Sequence, residues 1–200
     1  MNLPDGYRLL REIDLQKDKK LAVGVNLGAL SIALLLGALG LAVHPFSLTA
    51  GSSTAGGLFF DFLPSLLLLG SMILYLFLHE LTHGFFIRRY AHCRVEYGFT
   101  GLNAFAGNRN AYFDRRSYLV IGLSPVVLLG SVLLLGNLIF PAELFWFFYL
   151  LQIVNLSGAA GDLYVTWLVL RMPEDVLIND SGVSMRFYAG PGELPAKSAL

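Results

Sequence analysis

The chain of 200 residues has a single cysteine, Cys93, so no internal disulfide is available and a disulfide framework is excluded. It has no excess of one charge sign. Fourteen Lys and Arg balance fourteen Asp and Glu, which removes the basic surface that a nucleic-acid partner requires. Charge of either sign is also scarce: 14% of residues are charged against 56% hydrophobic, more apolar than a soluble globule carries. The expected solvent is lipid. A short basic start leading straight into an apolar run is missing too. The opening MNLPDGYRLLREIDLQKDKK is polar, which predicts that the first apolar run is a permanent span and not a cleaved leader.

Four apolar runs, at about 21–43, 62–87, 118–140 and 143–170, are long enough to cross roughly 30 Å of hydrocarbon as helices. The connectors HPFSLTAGSSTAGG (44–57) and FPAE (140–143) join them into two helical hairpins. The expected fold is an all-α integral membrane protein, a single four-span domain over 1–200. Orientation follows from the unfavourable transfer of Lys and Arg across a membrane. Arg8, Arg11, Lys17, Lys19 and Lys20 precede the first run, and Arg88, Arg89, Arg94, Arg109, Arg115 and Arg116 lie between the second and third. Arg171, Arg186 and Lys197 follow the fourth, and the other connectors contain neither residue. Both termini and the central loop are therefore expected in the cytoplasm, with the chain in the cell (inner) membrane.

The central segment 92–114 is rich in Gly, Asn and aromatics, and Val95, Tyr97 and Phe99 alternate with polar or small neighbours. That pattern predicts a cytoplasmic β-hairpin between the second and third helices, turning near Gly107 and Asn108. A short C-terminal hairpin is expected over 176–188.

The second run contains HELTH, residues 79–83. On a helix, residues i and i+4 share a face, so His79 and His83 converge on one metal ion while Glu80 stands on the adjoining face as a free carboxylate. Satisfied interhelical polar residues are the plainer explanation. It is disfavoured because each ionisable group at the bilayer centre costs on the order of 3 kcal/mol and normally faces a functional cavity.

A zinc site needs a third protein ligand. Asp162 is the acidic residue, besides Glu80, that lies well inside a run; Asp61 and Glu143 sit at the ends of theirs. His79 precedes Arg88 by nine residues and Asp162 precedes Arg171 by nine, so both lie about 13 Å from the same boundary at 1.5 Å per residue. The small residues of Ser157–Gly161 allow close helix approach. His92, Glu96 and Asp114 stand as rival ligands. His92 follows His83 by nine positions and misses the metzincin spacing.

With HELTH in one span and NLSGAAGDLY (155–164) in a later one, the chain resembles the site-2-protease group of intramembrane metalloproteases. More closely, LPDGYRL, HELTHGFF, the LSPVV of 123–127 and DSGVSMRFY resemble a compact family of bacterial membrane proteins classed as zincin peptidases. The likeness implies His79, His83 and Asp162 as zinc ligands and Glu80 as the catalytic residue. It departs from the site-2 pattern at Asp162, which is followed by Leu163 where that group has Asp-Gly.

The expected activity is zinc-dependent hydrolysis of peptide bonds in membrane-associated proteins, within or beside the bilayer, with Glu80 activating a zinc-bound water. Asn155, seven residues before Asp162 on nearly the same face, is expected to hold substrate backbone or to support a ligand; an interhelical hydrogen bond is the plainer alternative. A competing class is a non-proteolytic zinc-binding membrane assembly or regulatory protein, which has no use for Glu80. Ion or metal transport, a third class, requires a longer polar path than the runs contain. Expected partners are membrane lipid and a membrane-protein or peptide substrate. A homodimer is added on the small-xxx-small spacing of Gly24 and Gly28.

Overall fold

A computed structural model describes residues 3–14, 17–48, 58–100 and 103–191. The elements run β1 (Arg8–Asp14), α1 (Lys19–Val43), α2 (Leu58–Ala91), β2 (Glu96–Thr100), β3 (Asn103–Gly107), β4 (Phe113–Asp114), α3 (Arg115–Ile139), α4 (Phe145–Gly158), α5 (Ala160–Leu170), β5 (Leu177–Asp180) and β6 (Ser184–Ala189). A 3-10 turn, Ala142–Leu144, precedes α4. The chain is mostly helical. Three helices, Lys19–Val43, Phe62–Ala91 and Arg115–Ile139, are long and apolar enough to cross a membrane, and the pair 142–158 and 160–170, bent by 45°, makes a fourth if taken as one span. The expected connector residues 49–57 and Lys197 lie outside the described residues.

The chain divides into two compact units, one of residues 1–26, 80–124 and 161–200, the other of 27–79 and 125–160. The first contains a four-stranded antiparallel sheet in the order β1-β6-β5-β4. Its core gathers Ile13, Ile87, Phe113, Ile121, Leu168, Val176, Ile178 and Phe187. Strand β1 was not anticipated from the sequence. It pairs along β6 from Arg8 opposite Ala189 to Asp14 opposite Ser184, with a bulge between Leu9 and Arg11. Strands β5 and β6 pair antiparallel, with Asp180 opposite Met185.

The second unit is made of helix alone among the described residues. Aromatic side chains of α4 supply its polar ties. The Tyr149 hydroxyl donates to the Leu36 carbonyl at 2.8 Å and the Trp146 indole N–H to the Pro45 carbonyl at 2.7 Å. Gly40 makes the approach possible, because a Cβ there would collide with both rings.

The hairpin β2–β3 differs from its expected form. Glu96 pairs with Gly107 and Thr100 with Asn103, so Gly107 lies within a paired strand and the turn is not at Gly107 and Asn108; residues 101–102 lie outside the described residues. Gly107 is needed for close approach: a Cβ there would run into the backbone of Ser181 and Gly182. Asn108 donates from Nδ2 to the Arg94 carbonyl at 2.6 Å and accepts the Asn110 N–H at 2.7 Å.

Candidate metal centre

His79 and His83 lie one turn apart on the uninterrupted helix α2, and both are buried. Asp162 stands in the first turn of α5, where the unpaired N–H groups of a helix start favour a carboxylate. That start exists because the helical run breaks at Ala159, whose N–H closes on the carbonyls of Asn155 and Ser157. His83 Nε2 is 3.6 Å from Asp162 Oδ1. One ligand atom from each of His79, His83 and Asp162 can be chosen so that all lie within 4.8 Å of one another.

Main-chain chemistry orients His83. Its Nδ1 lies 2.9 Å from the Ile121 carbonyl. A carbonyl only accepts, so Nδ1 carries a proton and Nε2 is the ring nitrogen turned toward Asp162. The Ile121 carbonyl is available because the residue four positions on in α3 is Pro125, which has no N–H to return to it. The Ser124 hydroxyl also donates to that carbonyl at 2.9 Å. The LSPVV segment thus places a helix carbonyl without its usual partner beside the imidazole.

Glu80 is half-buried on the face next to the two histidines and interacts electrostatically with His83. The hairpin reaches the following residue: Gly84 packs so closely under Tyr97 of β2 that any Cβ would overlap the Tyr97 hydroxyl. Deeper in the same unit, Tyr118 Oη donates to Asp180 Oδ2 at 2.6 Å and the Gly182 N–H to Oδ1 at 2.8 Å. Burial pushes the Asp180 carboxyl above the ordinary carboxylate range despite these donors.

The rival ligands stand elsewhere. His92 is exposed just beyond α2, at a positive φ of 50°. Glu96 pairs with Arg109 at 3.6 Å. Asp114 caps α3, accepting the Ser117 N–H at 3.0 Å and its hydroxyl at 2.8 Å. Asn155 is fully buried beside Tyr75, whose hydroxyl donates to Asn155 Oδ1 at 2.7 Å and lies 3.0 Å from His79 Nδ1. Sequence reading missed Tyr75, although it sits one turn before His79 on the same face, a spacing that marks contacting helical neighbours.

Two imidazole nitrogens and one carboxylate oxygen are a donor set suited to zinc, and bonds of about 2.0–2.1 Å at tetrahedral angles put ligand atoms about 3.3 Å apart. The 3.6 Å between His83 and Asp162 is already close to that spacing. Residues 72–177, more than half of the chain and inclusive of all three ligand-type side chains, match the family described as "Putative zincin peptidase". The chain belongs to that family. No curated protein and no solved structure matches it.

Proposed function

We propose that the chain is a zinc-dependent endopeptidase acting within or beside the membrane on membrane-associated proteins. The observation that carries this reading is the convergence of His79, His83 and Asp162, with the Glu80 carboxylate beside them. In this reading, His79, His83 and Asp162 hold the ion. Bound zinc would supply Lewis-acid polarisation of a peptide carbonyl and of water. Glu80 takes the proton of the attacking water on a carboxylate oxygen and returns it to the departing amide nitrogen. A structural zinc site would use the histidines but not an uncoordinated glutamate.

The pairing of HELTH with an aspartate that follows an asparagine on a later helix supports kinship with the site-2-protease group. The distribution of Lys and Arg supports cytoplasmic termini. A peptide bond must leave its own helix before it can react. The two-stranded sheet of β2 and β3, seated over α2 at Gly84, supports binding of an extended substrate by strand addition.

Purified wild type and Glu80→Gln, reconstituted with zinc, should be compared on a panel of quenched transmembrane-segment peptides. The variant should keep one zinc per chain and lose cleavage by about 10²-fold or more, the scale of a missing general base. Cleavage by Glu80→Gln at the parental rate would sink the proteolytic reading.

A further inference from the structure

A buried polar chain runs away from His79 inside the unit of residues 27–79 and 125–160. Asn155, fully buried, donates from Nδ2 to the Val126 carbonyl at 3.2 Å. Gly130 leaves it room, since a Cβ there would lie 2.6 Å from that nitrogen. A carbonyl only accepts, so the amide NH2 must occupy this end and Oδ1 must face Tyr75. The Tyr75 hydroxyl has one proton and gives it to Oδ1 at 2.7 Å. What Tyr75 Oη offers to His79 Nδ1, 3.0 Å away, is therefore a lone pair. His79 Nδ1 must carry the hydrogen of that contact, so in the neutral ring Nε2 carries none.

We infer that Tyr75 and Asn155 are positioning residues that hold His79 as the Nδ1–H tautomer, leaving Nε2 as the ligating nitrogen. The direction of every hydrogen bond in the relay is set by its far end, the Val126 carbonyl. An imidazole without such a partner takes either tautomer, and the form protonated on Nε2 must lose that proton before it can bind metal. The role of the relay in zinc binding rests on the ligand assignment proposed above. The tautomer itself does not.

The test uses the full chain in lipid nanodiscs, with two readouts. Nitrogen NMR of the histidine-labelled, metal-free protein, above the imidazole titration range, reports which ring nitrogen is protonated. Competition with a chromophoric chelator reports zinc affinity. Wild type should show His79 protonated at Nδ1. Tyr75→Phe should lose that preference and weaken zinc binding about 10- to 100-fold, the usual effect of removing a partner that orients a ligand. Asn155→Leu frees the Tyr75 proton to point at His79 and should turn the ring to its Nε2–H form. Asn155→Asp keeps an acceptor oxygen toward Tyr75 whether or not it is ionised, and should retain both the wild-type tautomer and the affinity. A role in packing alone predicts no such rescue. His83 faces the Ile121 carbonyl and should stay Nδ1–H throughout, reporting that each variant is folded.

His79 protonated at Nε2 in wild type, or a tautomer unmoved by Tyr75→Phe, would overturn the inference. Tyr75→Phe removes one oxygen atom and decides the matter if Asn155→Leu does not fold. Wild type with the expected tautomer but no zinc binding would sink the peptidase reading and leave the relay standing. Zinc bound equally well by wild type and Tyr75→Phe, with His79 unmoved, would sink the relay alone.

Discussion

In the unit of residues 1–26, 80–124 and 161–200, large apolar side chains turn inward: Phe187, Ile178 and Val176 are completely buried. In the unit of 27–79 and 125–160 many turn outward. Leu34, Leu35, Leu138 and Ile139 are 65 to 73% exposed, while polar Asn155 is sealed inside. The first unit has a strand-rich apolar core of the kind that burial from water favours. The second has the outward apolar surface expected of helices in hydrocarbon, where such surface needs no hiding. The same side-chain chemistry therefore carries opposite structural meaning in the two places, and substitutions should expose the difference.

The largest contrast is expected between truncations. Phe187→Ala empties a closed core site and should lower unfolding stability by about 3–5 kcal/mol, whereas Leu138→Ala, already facing outward, should change it by about 0.5 kcal/mol or less. Equal effects in denaturant titrations of the detergent-solubilised protein would break the comparison. A somewhat smaller contrast is expected for charge. Leu35→Arg, in the middle of α1, should disfavour insertion by about 3 kcal/mol, read as a lower inserted fraction in a translocon assay. Leu9→Arg, on the exposed face of β1, should leave insertion unchanged.

The smallest effect sharpens the picture within the first unit. Asp114→Ala removes the cap of α3 and should cost about 1 kcal/mol. Burial pushes the Asp114 carboxyl up, but hydrogen bonds from Ser117 and the Arg116 backbone outweigh it and hold it below the ordinary carboxylate range. A lowered folded-state value contributes stability that is present above the unfolded-state value and lost as pH falls through the folded one. The variant should therefore show a flatter acid limb in a plot of Tm against pH. Asp180 has the opposite sign. Its raised value favours the fold at low pH, and that contribution is lost as pH rises through the folded-state value. Asp180→Asn should flatten that other limb, and parallel acid limbs in parent and Asp114→Ala would remove the cap from the account.

The helices were legible because hydrocarbon imposes a length and a composition that show directly in the chain. The expected runs 21–43, 62–87 and 118–140 meet Lys19–Val43, Phe62–Ala91 and Arg115–Ile139. The expected fourth run, 143–170, falls on the pair 142–158 and 160–170, which is one span only if its 45° bend is included, and that bend was not expected. Asp162 was matched to HELTH in sequence by its equal distance from a following arginine, and the structure has His83 Nε2 3.6 Å from Asp162 Oδ1. The pairing of β1 with β6 was hidden, because partners 170 or more positions apart leave no local periodicity. Gly107 misled for a physical reason: a glycine that admits a neighbouring backbone reads in sequence like one that makes a turn. Tyr75 passed unnoticed because an isolated tyrosine in an apolar run has the look of packing until its hydroxyl can be followed to Asn155.

The two histidines differ in how open their supports are to inherited change. The Ile121 carbonyl survives any replacement of Ile121 itself, and stays free of helix bonding while proline occupies position 125. The Tyr75 hydroxyl disappears with a single tyrosine-to-phenylalanine change. Small inherited steps can thus alter the support of one imidazole while that of the other stays fixed, and an engineer probing the proposed ion site would begin at Tyr75.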